Sequence, residues 1–377
     1  TTGASNSAIG YNSLFSNTTG VDNIGMGAET LYSNTTGNYN SAAGTSTLFN
    51  NTSGAGNSGM GYRALYTNTT GDYNTATGSN ALFSNTTGSY NAAFGYYSLY
   101  SNTTGIFNNA IGPFALSYNT TGTYNSALGY GALYQNTTGD YNGAVGPYSL
   151  FNNTTGSYNS ATGPYALNSN TTGSINTALG YASLTSNTEG NNNTAVGPFA
   201  LFSNTTGTEN ISIGFRALYT NTTGASNTGI GRDSLRFNTT GNLNTGIGGY
   251  SLYSNTTGSY NMASGPYSLY YNTTGSYNAA LGYGALFSST TSNENTAMGA
   301  YSLFANTTGA ANVSVGSFAL TDNTTGNYNV SLGTDAGHSN QTGSGNIFIG
   351  YKAGYSETGS DSLYIANSAT NNLIVGD

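Results

Sequence analysis

Apolar and polar positions recur in this chain with a period far longer than that of a helix or a strand. The pattern returns every 17 residues from end to end. Counted from the Asn of Asn17-Thr18-Thr19-Gly20, the unit reads Asn-Thr-Thr-Gly-Ser-Tyr-Asn-x-Ala-φ-Gly-Tyr-x-Ala-Leu-Tyr-Ser, with φ apolar, and the corner recurs without a slipped residue to Asn340. Position seven is Asn from Asn6 to Asn346, position eleven is Gly from Gly10 to Gly350, and position fifteen is Leu from Leu14 to Leu320. A unit this short cannot bury its apolar face alone and must stack on its neighbours. The pattern therefore predicts an all-β parallel β-solenoid of about 22 coils.

The two Gly-marked corners leave segments too short for helices, which predicts two short strands and two corners per coil. At roughly 4.8 Å per coil the stack would be about 100 Å long. The Leu column and the apolar tenth position (Ile9, Phe94, Leu128, Val145, Ile213, Ile349) are assigned to a dry core. Asn6, Asn23, Asn40, Asn57, Asn74, Asn91, Asn108 and Asn125 are assigned to an inward amide ladder. Identical amides at strand spacing can hydrogen-bond along the axis. All five prolines (Pro113, Pro147, Pro164, Pro198, Pro266) fall at position twelve. That marks a turn or strand start, where no ladder N–H is needed. Position thirteen carries Arg63, Arg216, Asp233 and Lys352, which conflicts with an inward Leu two residues later unless a corner intervenes. Residues 17 apart should stack, so Arg216–Asp233 and Asp335–Lys352 are expected as inter-coil ion pairs. Exposed pairs of this kind contribute about 0–1 kcal/mol.

The array is assigned to residues 1–343, and 344–377 to degenerate repeats forming a C-terminal cap or a transition to a following domain. Leu gives way to Gly337 and Gly354, and Gly343 is followed by Gly359 after 16 residues. Because the chain starts inside a repeat at Thr1, it reads as a piece of a longer protein, and a missing signal segment carries no information.

Composition narrows the function. Charged residues make up 5% of the chain, against about 25% in ordinary domains. Aromatics make up 13% and keep fixed phases, which argues against disorder. A net charge of −8 with five basic residues argues against nucleic acid, which needs a cationic footprint. No apolar run approaches the roughly 20 residues of a membrane span. The chain has no Cys and a single His338, which leaves no expected metal centre. Acidic residues scatter over different phases (Asp72 and Asp140 at five, Glu209 and Glu294 at six), so no acid–base pair is expected. The chain is read as a non-enzyme with no catalytic residues and no cofactor.

Two repeated features invite a binding role. The corners at Asn17, Asn34, Asn51, Asn68, Asn85, Asn102, Asn119 and Asn136 are glycosylation sequons, but Asn-Thr-Thr-Gly also simply makes a good turn. Aromatics at positions six, twelve, thirteen and sixteen are too many for a thin coil to enclose. They suit packing between chains or contact with sugars. The adjacent Thr pair does not suit ice, which favours Thr-x-Thr on one strand face.

Asn6-Ser7-Ala8-Ile9-Gly10, Asn125 to Gly129 and Asn193 to Gly197 resemble the Asn-Ser-Val-Ala-Ile-Gly repeat of trimeric autotransporter adhesin heads, whose unit is two or three residues shorter. The whole chain is more similar to repeat regions of tail-fibre-like and bacterial surface proteins. There a segment like Gly345 to Gly354 often precedes an endosialidase-type C-terminal chaperone. The resemblance implies a left-handed β-roll, a trimer, and a place outside the cell, on a cell or virion surface. It implies a structural fibre or adhesin rod without catalysis, or else a phage tail fibre binding surface carbohydrate. The third alternative is a subunit of an end-to-end filament. The implied partners are further copies of the chain, surface glycans or a host receptor.

Overall fold

The computed structural model describes residues 2–376. The fold is all-β, a parallel β-solenoid of 17-residue coils held in two compact units. The unit ending at Asn191 carries eleven three-residue strands, from β1 (Ser7–Ile9) to β11 (Thr177–Leu179). The unit beginning at Asn192 carries ten more, from β12 (Thr194–Val196) to β21 (Ile347–Ile349), then β22 (Leu363–Ala366) and β23 (Asn372–Gly376). Among the three-residue strands of each unit, successive strands pair in parallel at an offset of 17, as in Ser126↔Gly143 and Thr228↔Thr245.

Each coil has one strand, not the two expected. The strand covers positions eight to ten, and positions twelve to seventeen form a continuous turn. The reason lies in the backbone. Position thirteen (Glu29, φ 57°; Arg63, φ 54°) and position fifteen (Leu31, φ 49°; Leu65, φ 54°) are both left-handed. Strands do not admit that conformation, and for L-residues it costs roughly 1–2 kcal/mol each. The cost is offset because both N–H groups still bond to adjacent coils: Glu29 to the Tyr11 carbonyl at 2.7 Å and Leu31 to the Thr47 carbonyl at 3.1 Å. The zigzag also resolves the position-thirteen conflict, since it lets Leu65 point inward while Arg63 remains exposed.

The core is a column of Leu from Leu31 to Leu320, fully buried, beside buried Ala at positions nine and fourteen (Ala127 and Ala132, for example). Position ten does not join it. Alternation along a three-residue strand turns positions eight and ten outward once Ala at nine faces in. Ile9, Phe94, Leu128, Val145, Ile213 and Ile349 are accordingly exposed. Gly27 has φ 131°, and a Cβ there would meet the Gly44 carbonyl at 2.9 Å, so position eleven requires glycine on both counts. At position twelve, Tyr62, Tyr96 and Tyr130 donate no backbone hydrogen bond among the described residues, so proline loses nothing on that column.

The coil geometry runs on past residue 343. Asn346 and β21 keep their places, and β21 pairs in parallel with β22 at an offset of 16, Ile347↔Leu363. The repeat ends only where β22 turns back on the antiparallel β23. Loss of Leu at 337 and 354 does not open the core. Position nine in that coil is Phe348, the largest fully buried side chain. A Cβ on Gly337 or on Gly354 would collide with opposite edges of its ring.

Candidate functional site

Inside the coil, two Asn columns converge on one carbonyl. Asn40 at position seven donates its backbone N–H to Asn23 Oδ1 at 3.0 Å, and its Nδ2 to the Gly54 carbonyl at 2.8 Å. Asn51 at position one donates Nδ2 to the same Gly54 carbonyl at 2.9 Å and to Asn34 Oδ1 at 2.8 Å. The expected ladder (Asn23, Asn40, Asn57, Asn74, Asn91, Asn108, Asn125) is buried, with Asn6 half-buried at the first coil. The second ladder, formed by the corner Asn residues, was not anticipated. It explains the glycine at position four. Gly37 has ordinary φ, but a Cβ there would lie 2.5 Å from Asn34 Oδ1.

The burial of the corner Asn residues favours the turn reading of the motif over the sequon reading. Asn34, Asn51, Asn68, Asn85, Asn102, Asn119 and Asn136 are fully buried, and each places its Nδ2 on both a Gly carbonyl and the preceding Asn. Asn17 is half-buried and donates to the Gly20 carbonyl at 3.0 Å. A glycan on an inner copy would break one of those bonds and would need space the coil lacks.

Position five supplies a third ladder. Asn38 Oδ1 accepts from Val21 N–H at 2.8 Å, Asp72 Oδ1 from Ala55 N–H at 2.8 Å, and Ser89 Oγ from Asp72 N–H at 2.9 Å. The signal was present in the sequence: the column favours Ser, Thr, Asn and Asp, whose oxygen acceptor lies one or two bonds from Cβ.

Outside, the aromatics stack. Position sixteen runs Phe15–Tyr32–Phe49–Tyr66–Phe83–Tyr100, with ring centroids 5.0–5.2 Å apart. Position six runs Tyr73–Tyr90–Phe107–Tyr124–Tyr141–Tyr158 at 4.9–5.2 Å, with one face of the column exposed. In the second unit Tyr253–Tyr270–Phe287–Phe304 repeats the arrangement at 4.9–5.2 Å. Positions eight and ten of β1 to β21 hold no charged residue, so these strands present an uncharged and partly apolar face.

The first expected ion pair forms. Arg216 Nη2 donates to Asp233 Oδ2 at 3.3 Å, and its Nε lies 3.0 Å from Oδ1, an electrostatic approach whose N–H is not aimed for a hydrogen bond. It is not the exposed pair expected, because the Asp233 side chain is 1% exposed. Nor is it a pair, since Arg232 and Arg236 approach the same carboxylate at 3.3 and 3.6 Å. The second expected pair does not form. Lys352 Nζ lies over the rings of Tyr351 and Tyr355, 5.2 and 5.3 Å from their centroids. A hydrogen bond with Tyr351 is the main cause raising the lysine's pKa, and Asp335 adds only a weaker pull through space.

His338 stacks on Tyr355 and lies 3.4 Å from Asp322. Among the described residues no three His, Asp or Glu side chains gather as metal ligands. No helix among them is long and apolar enough to cross a membrane. No protein-family model and no curated protein sequence matches this chain.

Proposed function

We propose that this chain is an extracellular structural fibre or adhesin rod, displayed on a cell or virion surface, that performs no catalysis. The observation that carries the reading is the division of labour within each coil. Inward Asn columns hydrogen-bond to neighbouring coils, with an interruption at Asn272, while aromatic stacks and an uncharged strand face are left outside. Such a chain gains stability by lengthening and offers repeated surface for its own copies. Left-handed winding and a homotrimer follow from the resemblance to adhesin heads, and the strand face supplies uncharged surface for chain-to-chain packing.

The exposed Tyr stacks favour a second reading, a tail fibre that binds surface carbohydrate through many weak contacts. An end-to-end filament is a third. Light scattering with electron microscopy of the purified chain tests the first reading. Elongated trimeric particles are expected; compact monomers would refute it, and open-ended polymers would transfer the assignment to the filament.

A further inference from the structure

Three of the five basic residues in this chain meet at one place. Arg216 lies at position thirteen of one coil, and Arg232, Asp233 and Arg236 occupy positions twelve, thirteen and sixteen of the next. These four are the only charged residues between Glu209 and Glu294. One carboxylate faces three guanidiniums, so the cluster keeps an excess of two positive charges on a chain whose formal net charge is −8.

The three arginines are not equivalent. Arg216 and Arg236 are largely covered, with side chains 27% and 22% exposed. Arg216 lies 4.5 Å from the Phe215 ring, and Arg236 donates Nη1 to Tyr253 Oη at 3.0 Å. Arg232 differs. It touches Asp233 only through Nε, its side chain is 63% exposed, and its two terminal nitrogens have no hydrogen-bond partner among the described residues. Its guanidinium lies 6.0 Å from the Phe215 ring centroid and 5.8 Å from that of Tyr250. Asp233 thus anchors one edge of the Arg232 fork, and the neighbouring rings bracket it. The free edge, with donors set for a planar or tetrahedral oxyanion, points away from the carboxylate.

We infer that Arg232, positioned by Asp233 and supported by Arg216, binds the carboxylate or sulfate of an acidic saccharide, with the exposed ring of Phe215 receiving the sugar's apolar face. An aromatic ring beside a guanidinium fork matches a sugar unit that bears an acidic group better than a polyanion without sugar rings. Nucleic acid is disfavoured because two excess charges neutralise only about two phosphates. The inference does not depend on the fibre reading: it concerns one coil, and particle shape and oligomeric state do not enter its test.

The test is calorimetric titration of the purified chain with oligogalacturonate, sulfated dextran, neutral dextran and polyglutamate. Binding of at least one acidic glycan, absent for neutral dextran and reduced by salt, is expected, and the first two ligands separate carboxylate from sulfate recognition. Arg232→Gln should weaken it by about tenfold or more, the loss of one charge-assisted pairing. Arg63→Gln, which removes a cation from Tyr62 and Tyr66 in the other unit, should leave it unchanged. If R232Q loses the native circular-dichroism spectrum, Arg232→Lys decides, since it keeps the charge beside Asp233 and removes the fork. A weaker complex is then expected. The inference is overturned if neither acidic glycan binds, if polyglutamate binds as tightly, if R63Q weakens binding equally, or if the deciding Arg232 variant binds as the parent does.

Discussion

The regular coils and the stretch from 337 to 354 fill the same core with opposite residues. In the regular coils a small Ala at position nine lies beside a Leu at fifteen, as with Ala127 and Leu133. In the later stretch Phe348 occupies position nine and Gly337 and Gly354 occupy fifteen. One ring occupies space that a Leu side chain would enter from each of two adjacent coils. The same exchange appears on a smaller scale where Gly59 at position nine leaves room for Thr47 at fourteen, since a Cβ there would meet Thr47 Cγ2 at 2.5 Å. The lesson is that stacked coils conserve volume across neighbours and not residue type within a column.

The strongest way to break that comparison is Phe348→Ala. It should cost about 3–5 kcal/mol as two coils lose their shared filler. Hydrogen exchange around β20 (Val330–Leu332) and β21 would read the loss, because repeat arrays open locally before they unfold as a whole. Gly337→Leu should cost about 1–3 kcal/mol by overpacking against the ring. The left-handed backbone adds strain of its own but does not forbid the residue, since Leu320 adopts φ 45° on the same column. Combining the two changes sharpens the point: the double variant should be more stable than Phe348→Ala alone. If Leu at 337 gives no rescue, volume exchange is the wrong account.

A second irregularity offers a gain. Where Asn and Gly should stand, the chain has Ser289 and Ser292, bonded to each other through their hydroxyls. The shorter Ser289 makes room for the Ser292 Cβ, but it leaves Asn272 Oδ1 buried without a donor. Ser289→Asn together with Ser292→Gly should restore the ladder and stabilise that coil by about 1 kcal/mol, read as slower exchange of nearby amides. Ser289→Asn alone should fail, because Oδ1 would clash with the Ser292 side chain.

The smallest effect concerns pH. Glu357 closes the last corner by accepting from Tyr364 Oη at 2.5 Å and from the Thr358 and Gly359 N–H groups at 2.9 and 2.6 Å. The Tyr364 hydrogen bond, then that of Gly359, lowers its pKa below the ordinary 4.5. A depressed folded-state value means the stabilisation is fully present above the ordinary value and is lost as pH falls through the lower one. Protection of the Thr358 and Gly359 amides should therefore decline in acid below pH 4.5, while the Asn-capped corners, which carry no titratable group, stay unchanged. Equal loss at Gly37 and Gly359 would contradict this.

Much of the interior was legible in the sequence. A strict period identifies which residues stack, and it marks Asn at seven, Leu at fifteen, Gly at eleven and Pro at twelve as columns with one physical cause each. It also pairs Arg216 with Asp233. The apolar tenth position was misplaced because periodicity gives the neighbours of a residue but not its rotation about the coil. The corner motif kept two readings open for a related reason: Asn-Thr-Thr-Gly is the same string whether its amide faces solvent or the axis.

The sequence by itself determined the array, its 17-residue step and most of its buried columns, because stacking identical units is dictated by spacing alone. Only the tertiary structure decided which side chains face out. That depends on left-handed residues at positions six, thirteen and fifteen, most of them not glycine, whose strain is tolerated only when adjacent coils satisfy their N–H groups. The same turn brings Arg232 and Arg236 to the Asp233 carboxylate, a meeting of positions twelve, thirteen and sixteen that no fixed period expresses.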